Sequence, residues 1–181
     1  MEKTIKVSDR YFKQYLSAEQ IQEKVKAVAD RINQDLAGKK PIFVGVLNGA
    51  FMFAADLFRQ ITIEDAEITF VRLKSYAGTE TTGTVKTITE LNESVVDRTV
   101  VVIEDIVDSG YTMERMVRRL KEDLGAKEVY VSCLLSKPNA LKVKDLKLDY
   151  VAMEIPNDFI VGYGLDYNEM GRNLPDIWVV A

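Results

Sequence analysis

Apolar residues recur at Ile21, Val25, Val28, Ile32 and Leu36, the spacing of one helix face. Ser17 followed by Gln20 has the form of a capping box, so the helix is predicted to start near Ser17, and Gly38 and Pro41 stop it. The run Ile42–Leu47 is apolar throughout and ends in Asn48-Gly49. That pattern predicts a strand buried on both faces, as in a parallel sheet. Ala50–Ile61 follows as a helix and Ala66–Lys74 as a strand. Ser75–Thr84 is small and polar, with no apolar anchor after Ala77, and reads as a mobile loop before a strand at Val85–Thr89.

The centre of the chain has the clearest pattern. Thr99–Ile103 predicts a short buried strand and Glu104–Gly110 a loop. Met113, Met116, Val117, Leu120 and Leu124 mark one face of an amphipathic helix. Val129–Leu135, Asp149–Ile155 and Ile177–Val180 supply further β segments. Strands alternating with helices imply an α/β domain with a mainly parallel sheet. No repeat or long linker divides the 181 residues, so a single domain is expected.

Composition narrows the chemistry. The chain has no histidine and one cysteine, Cys133. Serine–histidine and cysteine–histidine catalysis, histidine-ligated metals and an internal disulfide are therefore excluded. Acid–base work must fall to Asp, Glu, Lys or Tyr, and a metal should be a hard cation held by oxygen. With 24 basic and 28 acidic residues the net charge is −4, which argues against bulk binding to nucleic acid. The first residues lack the apolar core of an export signal, and the apolar run Ala50–Ala55 is too short to span a membrane. Together with the single thiol, this gives an expectation of the cytoplasm.

The segment Val100–Thr112, VVVIEDIVDSGYT, holds the candidate chemistry. A buried strand delivers two adjacent carboxylates, Glu104 and Asp105, and Asp108 follows one short loop later. Ser109, Gly110 and Thr112 then stand where a helix begins. Small residues let backbone N–H groups and hydroxyls surround an anion, and a helix N-terminus favours negative charge. Three acids alone read as a capped helix after an acidic turn; the whole pattern favours an anion cradle. The acidic pair suits ribose hydroxyls or Mg²⁺ beside a phosphate.

This segment closely resembles the phosphoribosyl-pyrophosphate (PRPP) signature of the type I phosphoribosyltransferases. Four flanking segments narrow the resemblance to the hypoxanthine (hypoxanthine-guanine) phosphoribosyltransferases: VGVLNGAFMFAADL, LKSYAGTETTGTVK, LLSKP and EIPNDFIVGYGLDYNEMGRNLP. It runs from about Pro41 to the last residue, in the family's order. The implied fold is the type I phosphoribosyltransferase fold, a core of about residues 40–150 with a small hood from the N-terminal segment and about 151–181. The implied activity joins hypoxanthine or guanine to PRPP, giving IMP or GMP and pyrophosphate, with Mg²⁺ as cofactor. A homodimer or homotetramer is implied, with no nucleic-acid or membrane partner. A xanthine-preferring enzyme and a nucleotide-binding regulator on the same fold are the alternatives.

Residue by residue, the resemblance implies that Asp108 is the general base beside purine N7. Asp108, Ser109, Gly110, Tyr111 and Thr112 match the 5′-phosphate loop, Tyr111 through its backbone alone. Glu104 and Asp105 match the ribose and metal pair. Lys137 matches the donor to purine O6, although composition alone would make it a surface lysine. Phe159 matches the ring that stacks on the purine, with a core position as its alternative, and Ile160 contacts the purine edge through its backbone. Asp166 matches a residue near the guanine amino group or a second Mg²⁺. Leu47, Asn48 and Gly49 match a pyrophosphate loop, and Arg172 its arginine clamp. Asn48 stands where relatives often carry Lys or Arg, so one cation is missing. A cis peptide bond is expected at Leu47–Asn48. Ser75 and Tyr76 match the start of a lid that closes over PRPP.

Overall fold

The computed structural model describes residues 3–75, 85–87 and 91–181. The chain begins with a hairpin, β1 (Thr4–Val7) and β2 (Arg10–Leu16), that the apolar pattern did not announce. Helix α1 (Ala18–Asp35) follows, and its start is the expected capping box. Gln20 N–H donates to Ser17 Oγ at 3.3 Å, and Ser17 N–H donates to Gln20 Oε1 at 2.9 Å. Its buried face holds Ile21, Val25, Val28, Ala29 and Ile32, with Leu36 buried at its end.

Strand β3 (Ile42–Leu47) and helix α2 (Phe51–Phe58) come next. The helix is shorter than the expected Ala50–Ile61. Gln60 and Ile61 N–H donate three residues back, to Leu57 and Phe58 carbonyls, and the β-branched run Ile61-Thr62-Ile63 follows. β4 (Glu67–Ser75), β5 (Val85–Thr87) and β6 (Thr99–Val107) lead into helix α3 (Tyr111–Arg118), which ends in a π turn at Arg119–Asp123. β7 (Glu128–Ser136), β8 (Tyr150–Glu154), β9 (Ile160–Val161) and β10 (Ile177–Val180) complete the order.

The larger sheet runs β5-β4-β3-β6-β7-β8. Its five strands from β4 to β8 are parallel, and β5 joins β4 antiparallel. Both faces are covered. Val101 and Ile103 face a core shared with α1 and α2, while Val100 and Val102 face Met113, Met116 and Leu120. This alternation is why the run Thr99–Ile103 is apolar at every position. The second sheet, β1-β2-β10-β9, is antiparallel and packs around Phe12, Val161 and Trp178.

One expectation is corrected. Glu104–Val107 is not loop, because β6 continues to Val107. β6 pairs with β3 only as far as Ile103, but with β7 it carries on, Ile106 opposite Leu135 and Val107 opposite Ser136. α1 packs on the larger sheet, where its apolar face meets Phe43, Val101 and Tyr150. β8 is the edge of the larger sheet, parallel to β7.

Candidate active site

The C-terminal ends of parallel strands β3, β6 and β7 lie side by side, and the segments leaving them build the site. From β6, residues 104–110 with Thr112 and Met113 line a cavity of about 200 Å³. Gly110 is the N-cap of α3 at φ 86°, in the left-handed region, and no side chain caps that end. A Cβ there would stand 2.7 Å from Leu141 Cδ1 and 3.0 Å from Leu146 Cδ2, so the turn needs both the conformation and the space of glycine. The first N–H groups of α3 have no side-chain cap, at the place where the sequence expects an anion cradle. Tyr111 opens the helix and is exposed, consistent with a backbone role alone.

Asp108 and Lys137 meet at the mouth of this cradle. Lys137 Nζ lies 3.7 Å from Asp108 Oδ2, and Lys137 N–H donates to the Val107 carbonyl at 3.0 Å. The lysine side chain is only 11% exposed against 60% for Asp108, so Lys137 is not an ordinary surface lysine. The register of β6 against β7 brings the two together.

Glu104 and Asp105 are neighbours near the end of β6, and both line the cavity. Glu104 is buried, and Asp105 N–H donates to its Oε1 at 3.1 Å. Burial, and then the adjacent Asp105 charge, push the Glu104 carboxyl well above its ordinary range. Opposite Glu104 on β7 sits Cys133, whose thiol is pushed up to about 12 by burial and by both carboxylates. Cys133 is therefore an inert core residue. Two neighbouring carboxylates, one of them desolvated, make an oxygen donor set suited to a hard cation such as Mg²⁺.

Asp166 stands apart from that pair. Its Oδ1 lies 2.7 Å from Arg172 Nη2, and its Oδ2 accepts from Glu169 N–H at 2.9 Å. Among the described residues no three acidic or sulfur ligands gather in one place, so Asp166 does not share a cluster with Glu104 and Asp105. Arg172 also holds Glu169 at 3.1 Å and donates from Nη1 to the Gly164 carbonyl at 2.9 Å.

The Leu47–Asn48 peptide bond is cis, as expected. The loop it opens folds over β6: a Cβ on Gly49 would collide with the Asp105 carboxylate. The second sheet reaches the same place, since a Cβ on Gly164 would collide with the Gly49 carbonyl. Arg172 is thus tied to a turn that touches the Leu47–Gly49 loop.

Ile155 N–H donates to the Ser136 carbonyl at 2.8 Å, so the segment leading to Phe159 starts beside the end of β7. Phe159 is 41% exposed, which removes the core alternative. Its ring meets Tyr167 edge-on at 5.6 Å and Phe12 at 6.3 Å. The Ile160 side chain is buried, which leaves only its backbone to face a ligand. Ser75 closes β4, while Tyr76–Thr84, the rest of the expected lid, lies outside the described residues.

Sequence reasoning missed Tyr167 and Phe12 behind Phe159, and Gly164 against Gly49. Contacts between two sheets leave no periodic trace, although the glycines at 162 and 164 flag an unusual backbone.

The sequence profile of the phosphoribosyl transferase domain matches residues 12–168. A bifunctional protein, TilS/HprT, of Listeria monocytogenes is 42% identical over 166 residues, covering 91% of this chain; the chain spans only 25% of that relative's length. Hypoxanthine-guanine phosphoribosyltransferase of Bacillus subtilis is 41% identical over 166 residues, 91% of each chain. A crystal structure of a hypoxanthine phosphoribosyltransferase from Staphylococcus aureus superposes with a TM-score of 0.87 at 37% identity, covering 93% of this chain and 90% of that one.

Proposed function

The chain belongs to the phosphoribosyltransferase family, and from that premise we propose that it is a purine-salvage enzyme moving the 5-phosphoribosyl group of PRPP to N9 of hypoxanthine or guanine. The observation that carries this reading is the Lys137–Asp108 pair, 3.7 Å apart above the α3 cradle. It sets a hydrogen-bond donor and a carboxylate at the spacing of two polar atoms on one purine edge.

In this reading the cradle takes the 5′-phosphate through Ser109, Thr112 and the free N–H groups of Gly110 and Tyr111. Phe159 lies on the purine face, and Ile160 offers its backbone to the purine edge. Lys137 donates to O6, which selects an oxopurine over adenine, whose amino group is itself a donor. The N9 lone pair forms the new bond to C1 of the ribose as the C1–O bond to pyrophosphate breaks. The proton lost by the purine passes to Asp108 at N7. The products are IMP or GMP and pyrophosphate. Positive charge builds on the ribose as in glycoside cleavage, so the departing group must be neutralised. Arg172 and the Leu47–Gly49 loop do this for pyrophosphate. Glu104 and Asp105 would hold Mg²⁺, which supplies further positive charge to the leaving group. Asp166 orients the Arg172 clamp, its Oδ1 lying 2.7 Å from Arg172 Nη2.

The donor-for-donor clash predicts product with hypoxanthine and guanine, and little with adenine, when protein, PRPP and Mg²⁺ are mixed with each base. Xanthine used best would favour a xanthine enzyme, and no product with any purine would leave a nucleotide-binding regulator. Asp108→Asn keeps the size of the base but cannot take a proton; it should lower kcat about 10²-fold or more while KM for PRPP changes little. Undiminished kcat in that variant would falsify the base assignment. Self-association into a dimer or tetramer belongs to the same reading; Phe51 and Phe70, 38% and 40% exposed, are apolar surface for it. The cytoplasm is its compartment, as the inert Cys133 permits.

A further inference from the structure

Tyr163, Asp56 and Gln22 form a partly buried polar cluster that no step of the transfer uses. Tyr163 Oη donates to Asp56 Oδ2 at 2.7 Å, and Gln22 Nε2 donates to the same oxygen at 2.6 Å. Arg59, on the solvent side, lies 3.7 Å from Asp56 Oδ1. The three linked side chains come from the 162–165 turn, from α2 and from α1. Tyr163 is itself almost fully buried, at 4% exposure. Burial, with the Asp56 carboxylate adding to it, pushes its phenol far above the ordinary range, so it remains a neutral donor.

The backbone at this point is unusual. Tyr163 has φ 49°, a left-handed conformation that an aromatic residue rarely adopts. The turn is pinned on both sides. Tyr163 N–H donates to the Leu174 carbonyl at 2.8 Å, and Gly164 N–H donates to the Arg172 carbonyl at 2.9 Å. The Arg172 guanidinium returns a bond to the Gly164 carbonyl at 2.9 Å. On its other side Gly164 rests against the Gly49 carbonyl. α2, which carries Asp56, begins at Phe51, directly after the Leu47–Gly49 loop.

We infer that Tyr163, through Asp56, is a positioning residue that fixes the distance between the Leu47–Gly49 loop and Arg172. The inference rests on the reading that these two groups hold pyrophosphate. They come from different sheets, and a planar guanidinium must be placed to within about 0.5 Å to grip a phosphate with both arms. The Tyr163–Asp56 bond ties the turn behind Arg172 to the helix behind the loop, so both halves of the clamp share one anchor.

Tyr163→Phe removes the donor and keeps the ring. It should raise KM for PRPP about tenfold, the worth of a bond to a charged acceptor, and leave KM for hypoxanthine and kcat at saturating PRPP within about twofold. Asp56→Ala should do the same. Asp56→Asn keeps an oxygen acceptor and should recover most of the loss. The double variant Tyr163→Phe with Asp56→Ala should be no worse than either single one. A role in general stability would move both KM values together. An unchanged KM for PRPP in Tyr163→Phe, or an equal rise for both substrates, overturns the inference. The two Asp56 variants decide the matter if Tyr163→Phe does not fold. Arg172→Lys, assayed alongside, separates the premise from the inference. If it leaves KM for PRPP unchanged, the pyrophosphate reading itself fails; if it raises that KM while Tyr163→Phe does not, only the anchor fails.

Discussion

A methyl group on Gly49 would collide with the Asp105 carboxylate, because the loop after β3 folds directly over a side chain of β6. That close approach brings the backbone at Gly49 against the Asp105 carboxylate. Gly49→Ala should push Asp105 aside and cost about 1–3 kcal/mol of stability, the usual penalty for overpacking. kcat/KM for PRPP should fall more than about tenfold if the displaced carboxylate belongs, as proposed, to the ribose and metal pair. Chemical denaturation and steady-state kinetics on one preparation check both parts; wild-type kcat/KM would show that the loop has slack. Residue identity was legible here and residue environment was not. The sequence places Lys137 and Phe159 after apolar strands, where either reads equally well as ordinary surface or core. Only the register of β6 against β7 shows the lysine to be nine-tenths covered, and only the second sheet's packing leaves the phenylalanine ring open.

At the scale of elements, the departures from the apolar pattern fall where neighbours override it. β6 runs four residues past its apolar stretch because β7 continues beside it, and polar side chains such as Asp105 are tolerated there at the sheet's open end. The apolar residues of β2 fall in adjacent pairs, Tyr11-Phe12 and Tyr15-Leu16, rather than alternating, so the hairpin does not announce itself, yet Phe12 is fully buried and lies 6.1 Å from Tyr167. Tyr167 in turn meets Phe159 edge-on, with the Arg10 guanidinium 5.1 Å from its ring centre. Phe159, the proposed purine platform, is therefore supported from the first strands of the chain. Tyr167→Ala should raise KM for hypoxanthine about threefold to tenfold, the worth of one aromatic pair, and leave KM for PRPP unaffected. Tyr167→Phe keeps the ring and should behave as wild type. Equal loss in both variants would assign the effect to the hydroxyl and remove the stacking argument.

For the whole molecule, the parallel sheet was readable because β3 and the first half of β6, buried on both faces, each leave a continuous apolar run, and a helix pattern follows each of these two strands. The joining of two sheets was not, since it depends on single contacts such as Gly164 on Gly49 and Ala18 N–H on Asp176 Oδ1 at 2.7 Å. This division has a thermodynamic consequence. Phosphate and acid groups of the site come from the larger sheet, whereas Phe159 and Arg172 flank the strands of the smaller one. A nucleotide that touches all of them links the two sheets in the folded state and has no counterpart in the unfolded chain. IMP at about 100 times its Kd should then add about 2.7 kcal/mol to global stability. For a chain of this size that is a rise in Tm of about 5–10 °C. Ribose 5-phosphate, which fills the cradle but cannot reach Phe159, gives the contrast. At an equal multiple of its own Kd it should raise Tm as much, but slow amide exchange at β6 and α3 without slowing it at Ile160 and Val161. Equal protection of Ile160 and Val161 by both ligands would mean that the sheets are already locked together before the purine arrives.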